Sequence, residues 1–244
     1  MTASQLSLDG KLAVVTGASQ GIGRAIALSL ARLGATVCIV GRFREKLDEV
    51  TRATAAGFLQ LVEADLADDN DLRRLAVFVE HEFQRTDILV HCAGLYGRGT
   101  LADTPIEHFD RLYRVNVRAP YLLSQLLLPR LITNRGQIVF LNSTQGLNAS
   151  PGVGQYAATQ HALRAIADSL RAEVNERGVR VLSVYPGRTA TPRMAQIFEQ
   201  EQRPYQPQLL LQPDDIASVV VNALLLPRTA EATDISIRSL VKSY

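Results

Sequence analysis

Short, uniformly apolar runs alternate along the chain with longer segments in which apolar residues recur every three or four positions. The short runs are typical of strands buried on both faces of a parallel sheet, and the longer segments are typical of helices with one buried face. We predict strands at 12–16, 36–40, 58–64, 87–92, 137–142, 179–184 and 233–237. We predict helices at 21–33, 44–54, 68–83, 105–131, 153–177 and 213–226.

This alternation predicts an α/β fold, a doubly wound (Rossmann) parallel sheet of about seven strands with helices on both faces. Nothing along the chain looks like a linker or an internal repeat, so residues 1–244 are predicted to form a single domain. The least regular segment is 188–212, which several prolines interrupt. A loop of that length in a compact domain is usually functional, so we predict a lid over a binding site.

The charge and the cysteine content exclude several classes of protein. The formal net charge is +2 and the chain has no basic run, which argues against a nucleic-acid partner. The N-terminal segment lacks the apolar core of a signal peptide, and the most apolar run, 121–132, is too short to span a membrane. Cys38 and Cys92 lie in apolar runs and are expected to be buried and reduced. We expect a cytoplasmic protein without a metal site.

The first predicted strand runs into a glycine-rich turn at 16–23, which opens the first helix. Glycines let the backbone approach a pyrophosphate, and a helix N-terminus offers free N–H groups and a favourable dipole. In this strand–turn–helix context the turn predicts a dinucleotide site. The alternative is a turn whose glycines serve packing alone.

The end of the second predicted strand indicates which dinucleotide binds. A cofactor without a 2′-phosphate prefers an acid at this place, but the chain has Gly41 and then Arg42, whose guanidinium suits a phosphate. We therefore predict NADP(H) rather than NAD(H), the alternative being that Arg42 is a solvated surface arginine. Asp65, at the end of the third strand, is placed to accept a hydrogen bond from the adenine amino group, the alternative being that it is an ordinary surface aspartate.

Another motif lies at 143–160, where Tyr156 follows Ser143 by thirteen positions and Gln160 follows by four more. A serine hydroxyl and a tyrosine phenol brought together beside a nucleotide site can hand a proton to a carbonyl oxygen. The stretch is therefore a candidate proton-transfer site.

Further short motifs complete the set. Ala93-Gly94 follows the fourth predicted strand, Asn116 lies in the long predicted helix, and Pro186-Gly187 follows the sixth strand. Together with the glycine turn and the Ser143–Tyr156 pair, they resemble the short-chain dehydrogenase/reductase family over nearly the whole chain. Each piece is short, but the combination is specific.

The resemblance implies hydride transfer between the nicotinamide of NADP(H) and a carbonyl or alcohol carbon of a small molecule. It implies that Tyr156 is the general acid in reduction, that Ser143 hydrogen-bonds the same oxygen, and that Asn116 holds a water in a proton relay. The cofactor contacts that it implies are Gly17, Ser19, Gln20, Gly21, Ile22, Gly23, Arg42, Asp65, Leu66, Ala93, Gly94, Tyr156, Gln160, Pro186, Gly187, Thr189 and Thr191.

The chain departs from the family pattern in two places. His91-Cys92 stands where the family has paired asparagines, and we interpret His91 as a buried packing residue. Gln160 stands where the family has a lysine that binds the nicotinamide ribose and lowers the pKa of the tyrosine. Gln160 can still hydrogen-bond the ribose but supplies no charge. Arg164, one turn further along the helix, is expected to pack or pair elsewhere.

Two hypotheses follow from Gln160, which we count with Asn116, Ser143 and Tyr156 as a candidate catalytic residue. The first is an NADPH-dependent carbonyl reductase that is slower or has a shifted pH optimum. The second is an NADP(H)-binding protein with little or no turnover. Retention of the other three residues favours the first hypothesis, and Gln160 favours the second.

The sequence also suggests a substrate class and an assembly. We expect a neutral, fairly apolar carbonyl or alcohol compound, because no pair of basic residues marks an acidic substrate. The resemblance implies a homodimer or homotetramer through the helices at 105–131 and 153–177, the second of which has an alanine-rich face. The candidate substrate contacts are Tyr96, Gln145, Leu147, Met194 and Phe198.

Overall fold

The computed structural model describes residues 7–54 and 57–241 and contains a parallel sheet of seven strands. The order across the sheet is β3-β2-β1-β4-β5-β6-β7. This arrangement confirms the predicted doubly wound sheet. The strands are β1 (Leu12–Thr16), β2 (Thr36–Gly41), β3 (Leu59–Glu63), β4 (Ile88–His91), β5 (Gln137–Leu141), β6 (Arg180–Pro186) and β7 (Asp234–Ile237).

Helices connect the strands and cover both faces of the sheet. None of the helices that the structure describes is both long and apolar enough to cross a lipid bilayer. The α-helices are α1 (Gly21–Arg32), α2 (Arg44–Thr51), α3 (Asp69–Phe83), α4 (Ile106–Tyr113), α5 (Ala119–Thr133), α6 (Gly154–Val174), α7 (Pro192–Gln200) and α8 (Pro213–Leu224). Single 3₁₀ turns lie at Thr144–Gly146, Asn175–Arg177 and Pro207–Leu209.

The core consists of two apolar layers, one on each face of the sheet. Successive residues of a strand point to opposite faces, so Ala13 and Val15 of β1 enter one layer while Leu12 and Val14 enter the other. Helices α1, α2 and α8 pack in the first layer, and α3, α5 and α6 pack in the second. Continuous apolar strands were the correct signal for this fold because both faces are covered.

Two predicted elements differ from the structure. The single helix predicted at 105–131 is two α-helices joined by a π-helical turn, Arg114–Arg118. The segment predicted as a loop at 188–212 contains α7, so that prediction was wrong for residues 192–200. Pro192 occupies the first helical position, where its missing N–H has no cost, and the Thr191 side chain accepts from Met194 N at the helix start.

Asp87 ties the entry of β4 to the entry of β1. Its side chain is only 5% exposed and accepts hydrogen bonds from Lys11 Nζ at 3.1 Å, from Leu12 N at 2.9 Å, and from Arg85 Nε and Nη2 at 2.7 and 2.8 Å. Burial acts to raise the pKa of Asp87, but these hydrogen bonds outweigh burial and hold that pKa below its usual value.

We expect Asp87→Asn to lower the free energy of unfolding by about 2 kcal/mol near neutral pH, because charge-assisted hydrogen bonds become neutral ones. The folded-state pKa of Asp87 lies below the unfolded one, so its stabilisation is present above the unfolded pKa and is lost as pH falls through the folded pKa. Urea unfolding of both proteins at neutral and acidic pH measures this. The control, Asp110→Asn on the exposed side of α4, should change little. A difference that grows in acid would contradict the assignment.

Candidate active site

The candidate site lies at the edge of the sheet where the strand order reverses. The chain leaves β1 toward β2 on one side and leaves β4 toward β5 on the other. Ligands of doubly wound sheets bind at such a switch point, beyond the carboxyl ends of the strands. Thr16 fixes this edge, since its Oγ1 accepts from Cys92 N at 3.1 Å and Ala93 N at 3.2 Å and donates to Val90 O at 3.3 Å.

Two glycines of the turn, Gly17 and Gly23, leave no room for a side chain. A Cβ at Gly17, where φ is +68°, would lie 2.7 Å from the Ala93 Cα. A Cβ at Gly23 would lie 2.3 Å from the carbonyl oxygen of Gly17. The backbone of the turn therefore forms the wall of the cleft, as a pyrophosphate cradle requires.

The cleft brings together most of the predicted cofactor contacts. It also contains residues that the sequence did not single out as cofactor contacts, namely Gly41, Phe43, Lys46, Ala64, Cys92, Leu95, Val115, Pro192 and Arg193. The predicted contacts that line it are Gly17, Ser19, Gln20, Gly21, Ile22, Gly23, Arg42, Asp65, Leu66, Ala93, Gly94 and Thr191. The predicted contacts outside its lining are Tyr156, Gln160, Pro186, Gly187 and Thr189.

Two cations lie at the end of the cleft beyond β2. The Arg42 guanidinium is 5.5 Å and the Lys46 ammonium 5.4 Å from the centre of the Phe43 ring. A Cβ at Gly41 would lie 3.2 Å from Leu47 Cδ2, so an acidic side chain there would crowd the core. This corner suits a phosphate group better than a pair of ribose hydroxyls. The signal for Lys46 in the sequence was its place in the first turn of the helix after Arg42.

The loop after β6 is held at both ends before α7 begins. Gly187 N donates to Ile237 O at 2.8 Å, and Ala190 N donates to Leu211 O at 2.7 Å. The Thr189 hydroxyl donates to Gly187 O at 3.0 Å, and its side chain is buried. Thr191 is the residue of this loop that reaches the cleft, with Cγ2 3.1 Å from the position of a Cβ on Gly21.

Asn142 joins the serine of the predicted catalytic pair to the helix that carries the tyrosine. Its Oδ1 accepts from Ser143 N at 2.7 Å, and its Nδ2 donates to the main-chain oxygen of Gln160 at 3.0 Å. Ser143 Oγ also accepts from Gln145 N at 3.2 Å, which starts the 3₁₀ turn after β5. Tyr156 lies in the first turn of α6, close enough to Ser143 for the serine hydroxyl to act on its phenol. The structure therefore brings Ser143 and Tyr156 together.

The pKa of the Tyr156 phenol is raised above its ordinary value. Burial is the largest cause, and Tyr96, whose ring meets that of Tyr156 edge-on at 5.1 Å, adds to it. The Ser143 hydroxyl and the positive charge of Arg193 lower the pKa of Tyr156 but do not outweigh burial. Tyr156 is consequently a protonated phenol at neutral pH.

Asn116 lies in the π-helical turn and connects three segments of the site. Its Oδ1 accepts from Leu95 N at 2.7 Å, and its Nδ2 donates to Leu95 O at 2.9 Å and to Thr159 Oγ1 at 3.1 Å. The Thr159 hydroxyl in turn donates to Tyr156 O at 2.7 Å. Short π-helical turns are frequent at functional sites, and this one fixes the loop after β4 against α6.

Gln160 is 4% exposed, and its Nε2 donates to Thr159 Oγ1 at 3.4 Å. The Gln160 amide, which carries no charge, is therefore held against Thr159, about one helical turn after Tyr156. The Arg164 Nε lies 3.8 Å from Asp168 Oδ2, on the exposed side of α6. Arg164 therefore pairs elsewhere, as predicted from the sequence.

The predicted substrate contacts have different surroundings. Gln145 is engaged by Ser150, donating to its Oγ and accepting from its N, both at 3.1 Å. Phe198 is buried in α7, with the Arg188 guanidinium 4.8 Å from its ring centre. Tyr96 lies against Tyr156, whereas the remaining two, Leu147 and Met194, are half-buried.

Glu201 connects the end of α7 to two other segments. Arg188, from the loop after β6, binds both of its carboxylate oxygens at 2.8 and 2.9 Å. Arg98, from the loop after β4, binds Oε1 at 3.1 Å. The charge of Arg188 and its hydrogen bonds lower the pKa of Glu201. The predicted lid segment is therefore a helix pinned at its far end.

His91 and Cys92 occupy different surroundings. His91 is buried, its Nε2 lies 2.8 Å from Ser124 Oγ, and its ring stacks on Phe140 at 4.9 Å. Burial lowers the pKa of His91 to about 3, so the ring is neutral and the predicted packing role is confirmed. Cys38 is buried as predicted, but Cys92 is half-buried and lines the cleft, which corrects the expectation for that residue. The end of β4 opens into the cleft rather than into the core.

Comparison with known proteins identifies the family. Residues 11–202 match the model of the short chain dehydrogenase family. The chain therefore belongs to the short-chain dehydrogenase/reductase family, as its motifs indicated.

Individual members of that family are similar to the chain over most of its length. It is 35% identical to an uncharacterised NAD-dependent oxidoreductase of Mycobacterium tuberculosis, over 91% of each chain. A short chain dehydrogenase from Shigella flexneri, solved with NADP, is 30% identical over 96% of this chain and 99% of its own, with a TM-score of 0.87. An alcohol dehydrogenase from Thermococcus sibiricus, complexed with 5-hydroxy-NADP, is 26% identical over 94% and 97% respectively, with a TM-score of 0.85.

Proposed function

We propose that the protein is an NADP(H)-dependent oxidoreductase that transfers hydride between the nicotinamide and a carbonyl or alcohol carbon. The observation that carries the proposal is a protonated Tyr156 phenol beside Ser143, in a fold whose glycine turn is shaped for a pyrophosphate. The proposal treats the whole chain as one domain, active in the cytoplasm as a homodimer or homotetramer.

The residues of the cleft divide the work of holding the cofactor. The turn at 16–23 would hold the pyrophosphate, Asp65 the adenine, and Thr191 the nicotinamide carboxamide, while Gln160 would hydrogen-bond the nicotinamide ribose. The bound nicotinamide supplies or accepts the hydride. Leu66, Ala93 and Gly94 lie along the same wall.

The chain itself supplies the proton chemistry. In reduction, Tyr156 Oη gives its proton to the carbonyl oxygen while Ser143 Oγ hydrogen-bonds that same oxygen. In oxidation, Tyr156 must first lose its proton, which its raised pKa makes harder near neutral pH. Asn116 is proposed to support the relay that returns a proton from bulk solvent to this group.

The preference for NADP(H) rests on the corner formed by Arg42, Lys46 and Gly41. The NADP in the Shigella flexneri structure supports it, whereas the name of the Mycobacterium tuberculosis relative specifies NAD. The local residues favour NADP(H), because Arg42 and Lys46 line the end of the cleft beyond β2 and no acid stands at 41 or 42.

We expect Arg42→Ala and Lys46→Ala each to weaken NADPH binding about tenfold, because each removes a charge-assisted contact with a phosphate worth roughly 1.4 kcal/mol. NADH binding should change little, since NADH lacks the 2′-phosphate. Fluorescence titration of both nucleotides measures the ratio. The control is Arg44→Ala, because Arg44 lies on the same helix as Lys46 but outside the cleft lining. Equal weakening for NADH and NADPH would contradict the assignment.

The proposed substrate is a neutral, fairly apolar carbonyl or alcohol compound that contacts Tyr96, Leu147 and Met194, with Gln145 and Phe198 shaping the surrounding walls. An NADP(H)-binding protein with little turnover remains the second candidate, and Gln160 is the observation that favours it. A panel of aldehydes, ketones and quinones, assayed after NADPH binding has been measured, tests the two. Tight NADPH binding without turnover across the panel would favour the second.

A further inference from the structure

The site contains a second feature that bears on the missing lysine, and its interpretation rests on the proposed function. We propose that Arg193, at the start of α7, supplies the positive charge at Tyr156 that Gln160 cannot supply from α6. Arg193 thereby acts as a positioning residue, through Tyr156, and makes the pinned helix α7 part of the proton-transfer machinery.

A hydrogen bond holds the Arg193 side chain against the loop after β4. The Arg193 Nη2 donates to the carbonyl oxygen of Gly94. The next residue, Leu95, is fixed to Asn116 by two hydrogen bonds, and the ring of Tyr96 meets that of Tyr156 at 5.1 Å. The guanidinium is therefore anchored on the loop that packs directly against the catalytic phenol.

The start of α7 orients Arg193 toward that loop. Pro192 fixes the first helical position, and the Thr191 hydroxyl accepts from Met194 N at 3.2 Å. At its other end, α7 is held by the ion pair of Glu201 with Arg188 and Arg98. A helix fixed at both ends presents Arg193 at one place in the cleft.

The groups that act on the Tyr156 phenol come from three elements. Ser143 approaches from the end of β5, Tyr96 from the loop after β4, and Arg193 from α7. Burial has the largest effect and raises the pKa of Tyr156, and the charge of Arg193 opposes it. The same charge also opposes burial at the Cys92 thiol, which lines the cleft beside Gly94. Two separate groups, the Cys92 thiol in the cleft lining and the Tyr156 phenol outside it, thus experience the same cation.

Arg193 is exposed, so solvent screens its charge and its effect is smaller than that of a buried lysine. The competing interpretation is that Arg193, as a residue of the cleft lining, only contacts the cofactor. The two interpretations differ in one measurable property. A charge that acts on Tyr156 changes the ionisation of the phenol in the protein without cofactor, whereas a cofactor contact does not.

The decisive experiment is an ultraviolet titration of tyrosine ionisation in the cofactor-free protein, with Tyr156→Phe subtracted to isolate the Tyr156 signal. In Arg193→Gln the Tyr156 titration should move to higher pH, and in Arg193→Lys it should return toward that of the original protein. The control, Arg164→Gln, removes a cation paired with Asp168 and should leave the titration in place. An unchanged titration in Arg193→Gln, or equal behaviour of Arg193→Gln and Arg193→Lys, would overturn the proposal.

Turnover provides the second readout. In Arg193→Gln the limb of the pH profile on which alcohol oxidation rises with pH should shift to higher pH, with about a tenfold loss of kcat/KM near neutral pH. A loss of NADPH affinity with an unshifted pH profile would assign Arg193 to cofactor binding alone and overturn the proposal. Absence of turnover in the original protein would count against the proposed function, and the tyrosine titration would still decide the role of Arg193.

Discussion

Tyr156→Phe is expected to lower kcat for carbonyl reduction by about a thousandfold while NADPH binding stays within about twofold of its original value. The substitution removes the one acidic proton at the reacting oxygen and keeps the ring. The ring contact with Tyr96 therefore survives, and the loop after β4 keeps its place. Steady-state kinetics with the best substrate of the panel measures the loss, and fluorescence titration measures NADPH binding.

A matched control for Tyr156→Phe is Tyr121→Phe, which removes a phenol from an exposed position on α5. That variant should retain its activity. Unchanged activity in Tyr156→Phe would mean that another group donates the proton. Loss of NADPH binding in the same variant would instead indicate that the phenol holds the cofactor.

Gln160→Lys is expected to raise kcat/KM by about a hundredfold near neutral pH. A cation about 4 Å from the phenol is worth roughly 4 kcal/mol at an effective dielectric constant of ~20, and burying the ammonium offsets part of this. Because the reaction equilibrium fixes the ratio of forward and reverse efficiencies, reduction and oxidation should improve by the same factor. The limb on which oxidation rises with pH should move to lower pH, since the new charge lowers the pKa of Tyr156.

The control for this variant is Gln160→Met, which has similar size and no charge. It should gain no activity, so a gain shared by both variants would show that charge is not the cause. We also expect Gln160→Lys to lower the melting temperature, because position 160 is only 4% exposed. A folded Gln160→Lys protein no faster than Gln160→Met would contradict the role assigned to position 160.

Local signals in the sequence were sufficient for the sheet and for the glycine turn. The first strand and the glycine-rich turn at 16–23 could both be predicted, because each depends on residues that are adjacent in the chain. Thr191-Pro192 is also a local signal for a helix start, and α7 begins there. The prolines further along the segment are typical of a loop and favoured the incorrect loop prediction.

Contacts between distant segments were the part that the sequence did not provide. Arg193 meets Gly94 across 99 positions of chain, and periodicity carries no information about such a pair. Lys46 was visible as a basic residue, but its approach to Phe43 beside Arg42 depends on the direction in which α2 leaves β2. The raised pKa of Tyr156 likewise depends on burial by segments that come together only on folding.

The π-helical turn between α4 and α5 lets the two helices pack against different parts of the protein. An extra residue in a turn rotates everything beyond it by about 100° around the helix axis. Leu112 of α4 consequently faces the loop after β4 at Gly97, while Leu123 and Leu127 of α5 enter the core beneath the sheet. Deleting one residue within Arg114–Arg118 would leave one regular helix, which could pack against the loop after β4 or enter the core, but not both. Natural variation should therefore conserve the length of this segment more strictly than its amino acids.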